Sequence, residues 1–388
     1  MLSSLRRLLA PRRQPEGFAF SCPLVILQSD DWGRVGVRDR EGYDYLRAKG
    51  LRLGERPYDL YTLETADDVN AVASILARHR DSTGRPACLV MNACTANLDF
   101  ARMGRENFAQ VRLLPLAKGL PGKWSRPGLQ EAYRDGIEKG VFFPAPHGIT
   151  HCNPVAIENA LSEDGERARL LKLLWHADTP YIYWRMPWVG YEYLNPEKPR
   201  GGFLTIEQQR DLVKQNCRYF SDLFGTMPIS ACAPGFRSNR DTHRAWSENG
   251  IRVVQNGSGS GLRRPHFDEF GLLHLYRSID FEPCHRELDI EKYLEIAAAC
   301  VSRGLPIIIS MHSINFHSTL KDFRSASVAA LDQLLTALEA KYPELLYIND
   351  EDLYRIVTDG GFQCNAGTVK ITINQCESTS QSAHREVF

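Results

Sequence analysis

Two neighbouring carboxylates end the first long apolar run of the chain. In VILQSDDWGR, residues 25–34, Asp30 and Asp31 come just after Val25, Ile26 and Leu27. Like charges side by side raise each other's pKa, and burial at a strand end adds a desolvation cost. A cation offsets both. If Asp31 ligates a divalent ion, its charge is neutralised there, and Asp30 stays ionised and free to act as a general base on water. The competing reading is an exposed N-cap and turn pair, for which DDWG leaves little room.

Two imidazoles supply further donors. In APHGITHCNP, His147 and His151 follow directly on the apolar VFFPAP. They converge on one ion if the segment curls through about one helical turn. An HxxxH pair by itself is more often solvated or core-bonded. It gains weight here because the DD pair and the HxxxH pair both sit where a strand ends. One carboxylate and two imidazoles form a facial set with open positions, suited to Zn²⁺ or another divalent transition ion.

Three further strand ends carry polar residues. In ACAPGFRSNRDTHRAW, Arg237 follows an apolar run and a Pro-Gly turn, where a guanidinium can hold Asp30 by a bidentate pair or simply face solvent. In LPIIISMHSINFHS, His312 ends the most apolar run and can donate a proton to a leaving group. Asn315 and His317 beside it serve the site or the loop equally well. In YRSIDFEPCH, Asp280 either tunes His312 or forms a salt bridge. NGSGSG, residues 256–261, lacks the Lys-Ser/Thr of a P-loop and reads as a flexible turn.

These residues need a scaffold that brings strand ends to one rim. Buried strands are expected at Pro23–Ser29, Ala87–Met91, Val141–Ala145, Ile229–Ala233, Arg252–Gln255, His274–Arg277, Pro306–Met311 and Leu345–Ile348. Amphipathic helices are expected between them at Thr65–His79, Pro127–Lys139, Thr205–Phe224, Leu288–Ser302 and Ser325–Ala340. Alternation of this kind gives a parallel α/β sheet, closed as a barrel or, alternatively, open and doubly wound. Residues 163–202 interrupt the rhythm as an aromatic-rich insertion, whose rings either stack on sugars or form a satellite core. Residues 359–388 read as a peripheral tail, with TVKITI as an edge strand.

Composition bounds the partners. Lys plus Arg and Asp plus Glu both number 47, so the net charge is zero and a general nucleic-acid binder is not expected. The ten cysteines show no CxxC spacing and read as free thiols of a reducing compartment. No apolar run approaches the roughly 18 residues of a membrane span. The segment 1–20 is basic, without an apolar h-region or a cleavage site. It reads as a tail, and the chain as cytoplasmic.

Taken in order, SDDWG, HGITH, GFRSNR and SMHS resemble the motif series of the polysaccharide deacetylase family, with its NodB-homology domain. The resemblance implies a distorted (β/α) barrel over residues 21–358. It also implies a metal-dependent hydrolase of C–N amide bonds that acts on a carbohydrate, an N-deacetylase. Asp30 would be the base, Asp31, His147 and His151 the ligands of a divalent ion, with Zn²⁺ the first choice, Arg237 the group orienting the base, and His312 the acid. An O-deacetylase, a small-molecule amide or imide hydrolase and a catalytically silent carbohydrate-binding relative stay open beside it. The chain departs from the family pattern at Trp32 and Gly148, and at Asn239 and Arg240 in the segment that lends an oxyanion N–H.

Overall fold

The structure, a computed structural model, describes residues 17–198, 202–364 and 367–376. Most of the expected basic tail and the polar end of the chain lie outside these residues. Ten strands frame the site: β1 (Leu24–Trp32), β2 (Leu89–Ala93), β3 (Phe142–Pro146), β4 (Ser230–Cys232), β5 (Val253–Asn256), β6 (His266–Phe267), β7 (Leu273–Tyr276), β8 (Ile279–Asp280), β9 (Ile307–His312) and β10 (Leu346–Tyr347). All eight expected strands are among them.

The strands form two sheets. The first is parallel, in the order β8-β9-β1-β2-β3, with β10 pairing the start of β1. The second runs β4-β5-β7-β6, with only β6 antiparallel. The parallel α/β reading therefore holds, and of the expected distorted barrel the structure shows two separate sheets rather than one continuous ladder. Among the described residues no ladder joins β3 to β4. Pro144 and Pro146 in β3 have no N–H to offer a further strand, as suits a sheet edge. The two sheets nevertheless enclose one interior: Leu24, Ile26, Val90, Ala145 and Ile308 of the first pack in one cluster with Val253, Leu273 and Leu275 of the second.

Helices cover the outer faces. Thr65 caps Ala66–Arg78, Thr205 caps Ile206–Phe224 and Asn349 caps Asp350–Asp359, each accepting from the backbone N–H three residues on. The outward residues Val25, Leu27, Leu89, Met91, Ile307 and Ile309 pack in the largest cluster, together with Val69, Val72 and Leu76 of the first of these helices, whereas Leu353 and Ile356 of the last join the inner cluster. The helix Arg240–Glu248 was not expected. Its signal is Asn239, whose side chain accepts from Thr242 N–H. The tail is less peripheral than expected: Phe362 and Ile371 are buried in the inner cluster, and Ile373–Cys376 pairs antiparallel with Gly17–Phe20. Nine described cysteines are free thiols, and no described helix is long and apolar enough to cross a membrane.

Side chains alternate along a strand, and this alternation places the site. Leu24, Ile26, Gln28 and Asp30 share one parity in β1, as do Val90 and Asn92, Val253 and Gln255, and Ile308, Ser310 and His312. Leu273 and Leu275 continue it to Arg277, one residue past β7. In each case the inner set is apolar at the strand's N-terminal half and polar at its C-terminal end, so the polar groups collect at one rim.

Candidate active site

Adjacent strand residues normally face opposite ways, yet Asp30 and Asp31 both reach the rim. The pairing of β1 with β2 shows how: Ser29 is opposite Met91 and Trp32 opposite Ala93, so β1 carries one extra residue there. Such a bulge re-aims a side chain. Asp31 takes φ 75°, a left-handed value rare outside glycine but tolerated by Asp. Tyr61 Oη donates to the Asp31 carbonyl (2.6 Å) and Gly33 N–H to the buried Glu64 carboxylate (2.7 Å), which holds the turn on both sides. Trp32 is fully buried and stacks on Phe316 at 6.1 Å, so this residue serves packing.

Asp31 and the two histidines come together. Asp31 Oδ1 lies 3.7 Å from His147 Nε2 and 3.4 Å from His151 Nε2. All three side chains are buried, and Asp31 Oδ1 accepts no hydrogen bond. A tetrahedral ion with bonds of about 2.0–2.1 Å sets its ligand atoms about 3.3–3.4 Å apart, so the spacing suits a shared divalent cation. His147 Nδ1 donates to the Cys232 carbonyl (3.1 Å), which leaves the Nε2 lone pair for a ligand. His151 also sits at a left-handed φ of 66°. Burial, outweighing the pull of Asp31, lowers the His151 pKa to about 3 and keeps it neutral. The residues present fit a metal.

The loop between the histidines is held by a carboxylate not foreseen from sequence. Glu192, fully buried, accepts from Ile149 and Thr150 N–H. Burial pushes its pKa up to about 7. Gly148 explains itself here: at φ 71°, a Cβ would meet Glu192 Oε2 at 2.7 Å and Pro234 Cγ at 2.8 Å. A serine or threonine does not fit.

Asp30 is held by an arginine, but not by Arg237. Arg277 Nη1 and Nη2 bind its two oxygens at 2.7 and 2.6 Å, while Arg237 is exposed beyond the Pro234-Gly235 turn. Arg277 also donates to Gln28, Ser310 and Gln255, and Asn92 donates to Asp30 (2.7 Å). Burial opposes the charge on Asp30, yet Arg277, helped by His147 and His312, holds its carboxyl well below the usual range. Asp31 follows the same pattern against burial, with Arg34 (3.0 Å to Oδ2) as its main counter-charge.

His312 faces Asp30 across the cleft, Nε2 to Oδ2 at 4.0 Å. Its partner is Glu282, not Asp280: Nδ1 lies 2.6 Å from Glu282 Oε1, and Asn315 Nδ2 donates to Oε2 (2.8 Å). Asp280 instead accepts from Ser258 (2.9 Å), and His317 is buried beside Glu64 at 3.4 Å. Burial disfavours the imidazolium, but Glu282 and then the two aspartates outweigh it and raise His312 to about 9. This folded value lies above the unfolded one of about 6.5. The resulting stabilisation is complete below about pH 6.5 and is lost as pH climbs through about 9. In chelated protein, urea unfolding over that window is therefore expected to show wild type losing its stability advantage over Glu282→Gln. A difference between the two that stays flat with pH contradicts the pairing.

These groups line a cleft of about 450 Å³, walled by Tyr58, Trp184, Tyr191, Phe236 and His285. The aromatic stretch 163–202 thus divides its work: Trp175, Tyr181 and Tyr193 are buried, whereas Trp184 and Tyr191 reach the cleft.

No family model and no curated protein matches the chain. Among solved structures it is similar to a protein described as a polysaccharide deacetylase from Mycobacterium smegmatis (13% identity, TM-score 0.47, covering 95% of this chain and 98% of that one). It is also similar to a family 4 carbohydrate esterase from Streptomyces lividans (10% identity, TM-score 0.34, 84% and 92%). A 4-alpha-glucanotransferase from Thermococcus litoralis matches as well (9% identity, TM-score 0.45, 86% and 40%). At such identities and scores nothing about activity follows from these likenesses.

Proposed function

We propose that the chain is a metal-dependent hydrolase that removes the acetyl group from an N-acetylated sugar or glycan. The observation that carries this reading is the convergence of Asp31, His147 and His151 at the floor of the cleft, with a buried carboxylate oxygen that nothing else satisfies. Those three residues would hold the ion, Zn²⁺ by the chemistry of the donors. When bound, it would act as a Lewis acid toward water and the acetamide carbonyl.

The protein's own groups divide the proton work. Asp30, ionised because Arg277 pairs both of its oxygens, is placed to take a proton from the attacking water. His312, charged at neutral pH, is placed to give its Nε2 proton to the departing amine, with Glu282 steadying the ring through Nδ1. Arg34 keeps the second oxygen of Asp31 occupied, so that Oδ1 alone faces the imidazoles. The exposed ring of Trp184 and the rings of Tyr58 and Tyr191 offer apolar faces to a substrate. The resemblance in motif order supports a sugar as that substrate.

Zinc-loaded protein incubated with N-acetylated oligosaccharides, O-acetylated oligosaccharides and cyclic amides tests the reading. Acetate released from the N-acetylated sugars alone is the expected result. Ring opening of the amides alone replaces it with small-molecule hydrolysis. Glycan binding without turnover, unchanged by chelator, replaces it with a binding role.

A further inference from the structure

A second group of metal-type donors lies outside the cleft and shares no residue with the first. His243 lies on the helix Arg240–Glu248, Asp268 in the turn after β6, and His274 in β7. One ligand atom from each falls within 4.8 Å of the other two. Asp268 Oδ2 is the meeting point, 3.2 Å from His274 Nε2 and 3.6 Å from His243 Nδ1. These spacings bracket the roughly 3.3–3.4 Å edge of a tetrahedral zinc site.

A hydrogen-bonded His274–Asp268 pair accounts for only two of the three. His243 Nδ1, from a different element, is turned to the same oxygen beyond hydrogen-bonding distance, its ring packed on Trp246 and His274. The surrounding bonds suit ligation instead. Phe270 and Leu272 N–H donate to the other oxygen, Oδ1, at 2.8 and 3.0 Å, which leaves Oδ2 for the ion. His243 Nε2 is 3.1 Å from Ser238 Oγ, which can accept its proton when Nδ1 carries the lone pair toward an ion. The side-chain amide of Asn256 lies 3.2 Å from His274 Nδ1 and donates to the Leu275 carbonyl at 2.9 Å, which holds the edge of the ring turned away from Asp268. His266 stacks on His274 at 5.3 Å and fixes the plane of its ring.

We propose that His243, Asp268 and His274 form a second divalent-cation site, of zinc type. One carboxylate and two imidazoles leave a fourth position for water, and the partial exposure of His243 and Asp268 gives the ion a way in. The ion ties the helix Arg240–Glu248 to the second sheet. The loop leading into that helix carries Gly235 and Phe236, which line the cleft, so the site braces one cleft wall. It does not depend on the proposed hydrolase activity.

The test is zinc content after chelation and reloading of the full chain, read for wild type, Asp31→Asn, His243→Ala and the double variant. Two ions, one, one and none are expected. Cobalt absorption spectra and the rise in Tm on zinc addition should follow the same order, and circular dichroism checks that each variant is folded. Should His243→Ala fail that check, His243→Gln takes its place. A His243 variant that is folded and binds as much zinc as wild type overturns the site. An unchanged content in Asp31→Asn bears only on the cleft.

Discussion

Asp31→Asn is expected to lose the cleft ion together with about three orders of magnitude in kcat/KM, close to 4 kcal/mol of transition-state stabilisation. Asparagine is the sharpest choice because it tolerates the φ of 75° that the turn imposes. The backbone is kept and only the charge goes. That charge also balances Arg34, which is 5% exposed, and breaking a buried pair by removing one partner costs about 3–5 kcal/mol. Loss of function must therefore be separated from loss of fold. His151→Ala does so, since it removes a ligand and leaves the Arg34–Asp31 pair intact at 3.0 Å. Both variants should fail to retain the cleft ion, and Asp31→Asn alone should show the large drop in unfolding free energy. Metal retained with full turnover in either one contradicts the ligand assignment.

Arg277→Met is the second large effect, and it sets two arginines against each other. Asp30 is 1% exposed and Arg277 1%. Without the guanidinium the carboxylate stands uncompensated in the interior, and Gln28, Ser310 and Gln255 each lose a donor. A loss of about 3–5 kcal/mol in urea unfolding is expected. Arg277→Lys should recover little, because a single ammonium cannot reproduce the two-pronged contact. The double variant Asp30→Asn with Arg277→Met should recover part of the loss, since it removes both charges. Arg237→Met, on an exposed loop, should stay within about 0.5 kcal/mol of wild type. Equal effects at 237 and 277 contradict the network.

That contrast also shows where the sequence was legible. The two aspartates, the HxxxH pair and His312 stand at the ends of apolar runs, and apolar runs of that length mark strands whatever the topology. Their meeting at one rim follows once the strands are parallel. Arg237 and Arg277 both follow such runs, and residue type does not separate them. Strand parity does: Leu273, Leu275 and Arg277 lie two apart and share the inward phase, whereas Arg237 is thrown outward by the Pro-Gly turn. Glu282 and Glu192 carried no such signal. Glu282 reaches His312 across thirty residues, and Glu192 reaches the loop between the histidines from within an aromatic stretch with no regular period. The break between the two sheets was equally out of reach, because it depends on which backbone N–H groups find partners at the sheet edges, where Pro144 and Pro146 offer none at β3.

The most direct measurement is an anomalous-scattering map at the zinc edge from crystals of the zinc-loaded chain. A peak bonded to Asp31 Oδ1 and to Nε2 of both His147 and His151 is the expected result. A map with no density within reach of those three atoms, whatever it shows beside His243, contradicts the metal-dependent reading of the cleft.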